Sequence, residues 1–515
     1  MADVTSVCDR VVKWGLVALL VFTPFAFGTV EQWSQAFMEW AVIALFLVFA
    51  LGWSWQESRS AAGARRWTGL EPLIAAFLVF GALQTIPLPP SWLAIASPGS
   101  VRMYDGVDLQ RWPETSGVAA GTDPKSVALL ALAPKERRPV SVQPQATWDR
   151  LEMLAALGVV FVLVALWAER PDRIVFLIGS VVTVGFLVAV QALVQRLTWN
   201  GKVLWFRKIP PSSPFGPFVN HNHFAGYVEM IIPVAISLAL SLVETHIHRR
   251  PELPPAAGRA SIDAFLDRQR DGGGHLGKAV LSLFAAVMLV VTLFFSLSWG
   301  GIISTAVSGL VFFLLVGQRL VRRSLAWAVA AAIPPLVLGL VLWIGADEVK
   351  SQLGPVGTAS KEGSFGMRVM IWDSLVRNLG PYVWLGAGLG TFEVSFAPVS
   401  PPGSTGHWDR AHNDYLQILW EGGLVGLLLV LAAVFTFVKR YWWAALRSRG
   451  HPLDLFRVGL AVSLLSIALH SVVDFNLQIG ANGFLCALLA GILIALHHFV
   501  EDEKARRPVL VSPSR

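Results

Sequence analysis

One short segment gathers most of the groups able to move a proton or hold an anion: Arg410-Ala411-His412-Asn413-Asp414-Tyr415-Leu416-Gln417-Ile418-Leu419-Trp420-Glu421-Gly422-Gly423. It stands where a long polar stretch enters an apolar one, a depth at which polar side chains are costly in a bilayer and mark function by default. If a helix starts near Ala411, Asn413, Gln417 and Glu421 follow at steps of four and share a stripe that must face protein or water. His412 then sits at the helix N-terminus, where the dipole disfavours imidazolium and favours an anion. The chemistry on offer is a proton-accepting imidazole beside an anionic ligand. The plainer reading is a cap that anchors the loop. Gly422 and Gly426 form a small-x-x-x-small pair that lets another helix come close.

Other polar groups cluster at the ends of apolar runs. Asn220, His221, Asn222 and His223 open one run, with Glu229 about two turns deeper. On a later run Ser463, Ser466, His470 and Asp474 share a face, and a His and carboxylate at i and i+4 make either an oriented pair or a bond between helices. His221 and His223 lack a near third ligand, so a hydrogen-bonding role is expected over a metal. Cations for an anionic substrate are Arg368, Arg207, Lys208 and Arg410, since guanidinium grips phosphate oxygens bidentately. For Arg207 and Lys208, next to Trp205, contact with lipid headgroups is the alternative. Met367, Met370, Ile371, Leu375 and Leu379 recur every three to four residues around Arg368, which predicts an amphipathic helix on the outer membrane surface. Gly386, Gly388 and Gly390 make either a phosphate cradle or a plain turn.

The elements that carry these groups belong in a bilayer. Of the residues 54% are hydrophobic and 15% charged, with apolar runs near the roughly 20 residues that a span needs. Twelve runs can be drawn: 11–29, 36–55, 70–88, 149–168, 173–197, 222–243, 278–297, 300–317, 324–346, 416–438, 457–475 and 480–500. The first lacks a small-x-small cleavage site and reads as a retained helix. An even number puts both termini on one side, and the Lys and Arg of the short loops place them in the cytoplasm. The net charge of +7 is then mostly a topology signal, with no nucleic-acid partner implied. Cys8 and Cys486 stand too far apart in this topology to pair. Two outer segments exceed simple connectors: 89–148, rich in Pro, Ser, Thr and Gly, reads as a cap or lid, and 347–415 leads into the His412 cluster.

Taken together, Asn220-His-Asn-His-Phe-Ala-Gly226, Ser296-Leu-Ser-Trp-Gly-Gly301, Arg368 with Trp372, Gly386-Ala-Gly-Leu-Gly-Thr-Phe392, His412-Asn-Asp-Tyr-Leu-Gln417 with Glu421-Gly-Gly, and His470-Ser-Val-Val-Asp-Phe-Asn-Leu-Gln478 resemble the O-antigen ligase and polymerase family of bacterial envelope proteins. They occur in the family's order over about 205–495. The resemblance implies an all-α, polytopic integral protein of the bacterial inner membrane, with about 12 transmembrane helices and a large periplasmic loop that contains an amphipathic helix. It implies N-terminal transmembrane helices over 1–204 with the cap 89–148, a catalytic membrane region over 205–500 with the periplasmic loop 347–415, and a cytoplasmic tail over 501–515. The implied activity is metal-independent, cofactor-free, inverting transfer of an undecaprenyl-pyrophosphate-linked glycan to a sugar hydroxyl. The partners it implies are that donor, a glycan or lipid A core acceptor, inner-membrane lipid and a chain-length regulator. By similarity His412 matches the family's essential histidine and Arg368 an arginine that engages pyrophosphate. Arg207, Lys208, Arg410, Asn220, His223, Asn413, Asp414, Gln417, Glu421, His470 and Asp474 fall to substrate binding. Where many members read Ser-Arg-Gly-Gly, this chain has Ser298-Trp299-Gly300-Gly301, so either another cation substitutes or the donor is handled differently. Polymerisation, ligation and transfer to a protein hydroxyl all share the donor. A transporter or flippase, whose polar groups gather at the midplane on broken helices, is the rival from another class.

Overall fold

The computed structural model describes residues 4–57, 67–105, 136–209, 213–247, 275–320, 365–401, 408–448 and 451–506. In chain order its main helices are α1 (Val4–Phe25), α2 (Gln32–Glu57), α3 (Glu71–Leu83), α4 (Pro90–Ala96), α5 (Pro144–Trp167), α6 (Pro171–Leu197), α7 (His221–Ile247), α8 (His275–Phe295), α9 (Trp299–Leu320), α10 (Phe365–Arg377), α11 (Phe392–Phe396), α12 (Asp414–Phe437), α13 (Trp443–Arg447), α14 (Asp454–His470) and α15 (Gly480–Arg506). Among the described residues extended backbone is limited to isolated bridges such as Leu88 with Arg138. The chain is an all-helical, multi-pass membrane protein.

Eight described helical stretches are long and apolar enough to cross a bilayer, from Gln32–Trp55 to Gly480–Ala505. The expected twelve spans are therefore not all present in that form. The run 11–29 falls in α1, whose first half carries Asp9, Arg10 and Lys13. The run 70–88 yields a helix of only 13 residues, because Pro87 and Pro89 lie just beyond it. The run 457–475 becomes α14, 17 residues ending at His470, so Asp474 sits in the turn that follows instead of on the helix. The run 324–346 and parts of both long outer segments, 106–135 in one and 347–364 and 402–407 in the other, lie outside the described residues.

Contacts gather the chain into two units that differ from the motif-based division at 204/205. The first comprises Met1–Glu71, Ala156–Ile344 and Thr436–Arg515, the second Pro72–Ala155 and Gly345–Phe435. In the first unit α6, α7 and α15 supply a continuous core, with Ile178, Val181, Ile231, Leu488 and Ile492 all at 0% exposure. A bilayer supplies no hydrophobic drive between helices, so close packing holds them. α12 passes through a π turn, Val438–Trp442, into α13.

The second unit has a smaller core: Ile371 and Leu375 of α10, Tyr382, Ala387, Phe392 and Phe396 of α11, Ala411 and Trp420. The predicted α10 is present, but Ile371 and Leu375 are buried in protein, with Leu379 packed against this core. The amphipathic stripe is thus a docking face, not one that lies on lipid. The cap's described residues join the same unit. Val142 N donates to Ala387 O at 3.0 Å and Ser141 N to Gln84 O at 2.8 Å, while Ser97 Oγ donates to Gly386 O at 2.8 Å.

Candidate functional site

The second unit builds the His412 cluster from a helix start and a locked loop. α12 begins at Asp414, with Asn413 as its cap: Asn413 Oδ1 accepts from Tyr415 N at 3.0 Å and Leu416 N at 2.9 Å. These are amides that a helix start leaves unsatisfied, and Asp414 in the first turn suits the dipole. His412 stands one residue before the cap at φ 49°, a left-handed conformation that a non-glycine residue adopts only where its surroundings enforce it. Those surroundings are explicit. Ala411 N donates to Gln417 Oε1 at 3.0 Å, and Ala411 O accepts from Trp372 Nε1 at 2.9 Å. Trp408 stands edge-on to the imidazole, with ring centroids 6.4 Å apart.

Arg368 shares the face of Trp372, one turn earlier on α10, and is half-buried like His412. The Trp372 bond therefore ties the arginine's helix to the backbone beside the histidine. Arg410 Nη1 donates to Asp409 O at 2.6 Å.

Gln417 and Glu421 continue the predicted stripe, and both are spent on protein. Gln417 Nε2 donates to Glu421 Oε1 at 2.9 Å. Glu421 also accepts from Gly390 N at 2.9 Å and Phe392 N at 3.3 Å. The other amides of the glycine loop are occupied as well. Ala387 N donates to Trp420 O and Gly388 N to Glu421 O, each at 3.0 Å, and Leu389 N donates to Gln84 Oε1 at 3.0 Å. Gly386 (φ 73°) is needed because a Cβ there would lie 2.1 Å from Glu421 O. The loop is a turn locked onto α12 where Gly423 (φ 61°) breaks the helix. Phe80 of α3 approaches Gly422 and Gly426, the predicted close contact.

The first unit holds a second polar cluster. Asn220 Oδ1 caps α7 by accepting from Asn222 N at 2.8 Å. Ser298 Oγ donates to Asn222 Oδ1 at 2.7 Å, and His221 Nδ1 donates to Ser296 O at 2.7 Å. His223 stacks edge-on to Phe475 at 4.8 Å. His470 Nδ1 donates to Glu229 Oε1 at 3.2 Å, and its Nε2 lies 4.0 Å from Asp474 Oδ2, all three side chains being almost fully buried. His470 is thus both a bond between helices and an imidazole between two carboxylates. Gly300 makes this possible, since a Cβ there would sit 2.7 Å from His470 Nε2. Arg207 is committed to Glu31, 2.5 Å away, with its guanidinium 4.3 Å from the Phe27 ring. Lys208 is exposed.

The expected residues thus fall in two groups. Arg368, Arg410, His412, Asn413, Asp414, Gln417 and Glu421 belong to the second unit, and Arg207, Lys208, Asn220, His223, His470 and Asp474 to the first. Sequence reasoning missed Gln84, which donates to Leu385 O at 2.7 Å and Glu421 O at 3.0 Å, and Thr147, which donates to Leu389 O at 2.7 Å. A lone Gln or Thr near a predicted helix end carries no spacing signal. Among the described residues no group of three or more His, Cys, Asp or Glu is arranged to hold a metal ion.

No curated protein matches the chain. Residues 284–431 match the family model described as O-antigen ligase, a stretch that takes in the Ser296–Gly301 turn, Arg368, the glycine loop and the His412 cluster. Over residues 284–431 the chain is therefore similar to the O-antigen ligase family.

Proposed function

We propose that the protein transfers an undecaprenyl-pyrophosphate-linked glycan to a sugar hydroxyl at the periplasmic face of the bacterial inner membrane. The family already gives a part in O-antigen or related polysaccharide assembly. The observation that carries the finer reading is the tie between Trp372 Nε1 and Ala411 O, which couples Arg368's helix to a backbone that holds His412 left-handed. A sugar pyrophosphate already has a good leaving group, so transfer asks for a base on the acceptor and a cation on the departing phosphate. His412 takes the proton of the acceptor hydroxyl. That oxygen bonds to the anomeric carbon as the carbon's bond to the phosphate oxygen breaks, and Arg368 stabilises the pyrophosphate that leaves with the electron pair. Attack opposite the leaving group inverts the anomeric centre, and no metal is required. Gln417 and Glu421 position the site through the loop and do not touch substrate. The termini lie in the cytoplasm.

The test is a deletion strain restored with wild type, His412→Ala or Arg368→Ala, each checked for membrane expression, followed by surface-glycan gels and lipid-carrier analysis. Both variants lose long glycan. Accumulated single lipid-linked repeats identify a polymerase, and accumulated full-length lipid-linked polymer a ligase. Wild-type glycan from well-expressed His412→Ala removes the assignment. Glycan movement across liposomes without transfer would put a transporter in its place.

A further inference from the structure

α12 does not run unbroken from the cap beside His412 into its spanning part. At Gly423 (φ 61°, ψ −163°) the helical path stops, and the next two amides leave the helix ladder. Leu424 N donates to Val383 O at 2.7 Å and Val425 N to Trp384 O at 3.3 Å. The two turns before the break carry Gln417 and Glu421 and begin at the Asn413 cap. Their position is therefore set by side contacts and not by the helix that follows.

Gln84, just past α3 and 2% exposed, reaches that break from a distant part of the chain. Its Nε2 donates to Leu385 O at 2.7 Å and to Glu421 O at 3.0 Å, and its Oε1 accepts from Leu389 N at 3.0 Å. The amide thus bridges both edges of the glycine loop and pins the loop to α12 two residues before Gly423. A side-chain amide offers two donors and an acceptor in one plane, a set that no carboxylate, hydroxyl or cation reproduces. The main chain of Gln84 is fixed as well: its N donates to Phe80 O at 3.2 Å and its O accepts from Ser141 N at 2.8 Å.

From Glu421 the path to His412 is short. Glu421 Oε1 accepts from Gln417 Nε2 at 2.9 Å, and Gln417 Oε1 accepts from Ala411 N at 3.0 Å. The next residue is His412, left-handed at φ 49°, a conformation that persists only while its surroundings over-determine it. Gln84, Glu421 and Gln417 are all buried, so the chain of bonds is shielded from competing water.

We infer that Gln84 is a positioning residue for the transfer: through the glycine loop and Glu421 it holds the first two turns of α12 at their break, and with them the backbone that presents His412. It touches neither donor nor acceptor. The inference rests on the transfer reading in which His412 is the base, and adds to it a residue well upstream of the matched stretch 284–431. A base displaced by about 1 Å loses on the order of a hundredfold in rate, while donor binding by other groups is untouched.

The test uses the purified full-length protein in nanodiscs with lipid-linked glycan extracted from the deletion strain, titrated as a fraction of the disc lipid. Release of the lipid pyrophosphate is the readout, and thermal unfolding checks the fold. Gln84→Met keeps the length and removes the amide. Its kcat falls about ten- to a hundredfold with KM within about twofold of wild type. Leu93→Ala, which hollows the buried side of α4 in the same unit, lowers the melting temperature and keeps kcat near wild type. If Gln84→Met does not fold, Gln84→Asn takes its place with the same expectation, its amide drawn back by one methylene. Wild-type kcat in a folded Gln84 variant overturns the inference, as does a raised KM at unchanged kcat. An equal fall of kcat in Leu93→Ala overturns it too, by reducing Gln84 to a part in stability. With His412→Ala inactive in the same assay, those outcomes leave the transfer reading standing. Full activity of His412→Ala, or a wild type that releases no lipid pyrophosphate, sinks both.

Discussion

Glu421 shows how a residue can look like a substrate ligand in sequence and serve the backbone instead. Its carboxylate takes the Gly390 and Phe392 amides and the Gln417 side chain, and each such bond to a charged group contributes about 1.5–3 kcal/mol. Glu421→Gln is expected to lower the stability of the purified protein by about 3 kcal/mol in thermal unfolding, because the new amide nitrogen must face a donor. An unchanged melting temperature would return Glu421 to the substrate. The stripe itself was legible from steps of four, since helical spacing fixes which side chains share a face. Its partners were not, because Gln84 and the glycine loop reach it from 337 and about 30 residues away. Trp372 presents the converse case. Trp372→Phe deletes only the donor to Ala411 O, so folding stability falls by about 1 kcal/mol while transfer falls further as His412 loses its backbone tether. Transfer and unfolding measured on the same preparation separate the two effects.

The elements of the second unit derive their order from protein contacts more than from the bilayer. α10 was legible as a helix from its apolar period, yet period alone does not say whether lipid or protein covers the stripe, and here Ile371 and Leu375 are covered by Tyr382, Phe392 and Trp420. The cap was legible only as a long polar segment, because its anchors are single hydroxyls. Tyr104 OH, for one, donates to Ser141 O at 2.8 Å. Burial pushes the Tyr104 and Tyr382 phenols up to about 12, with Arg138 and Arg102 respectively opposing the shift. In the unfolded chain these phenols ionise near 10, so their contribution is complete below pH 10 and is lost as pH rises from 10 through 12. Thermal unfolding between pH 9 and 12 should show a steep alkaline loss that becomes shallower in Tyr382→Phe. Identical slopes would mean that the phenol is hydrated in the folded protein.

At the scale of the whole molecule, the positive-inside pattern predicts both termini in the cytoplasm and the His412 segment on the opposite side. The helices alone do not set the sign, because length and apolarity are the same read from either end. Charge in the loops breaks that symmetry, which is why the orientation rests on sequence while the packing does not. The chain is well suited to a direct test. Its two native cysteines, Cys8 and Cys486, are buried and half-buried, so both can be replaced with little background. Glu393 is exposed beside the glycine loop, and Lys504 is exposed near the end of α15. Glu393→Cys should react with a membrane-impermeant maleimide in intact spheroplasts, whereas Lys504→Cys should react only after permeabilisation. The reverse pattern would put His412 and Arg368 on the cytoplasmic side, away from a periplasmic acceptor, and the proposed transfer would fail with it. Labelling of both sites in intact spheroplasts would mean an even number of crossings between them, and would require the count of spans to be redrawn before any mechanism is assigned to the His412 face.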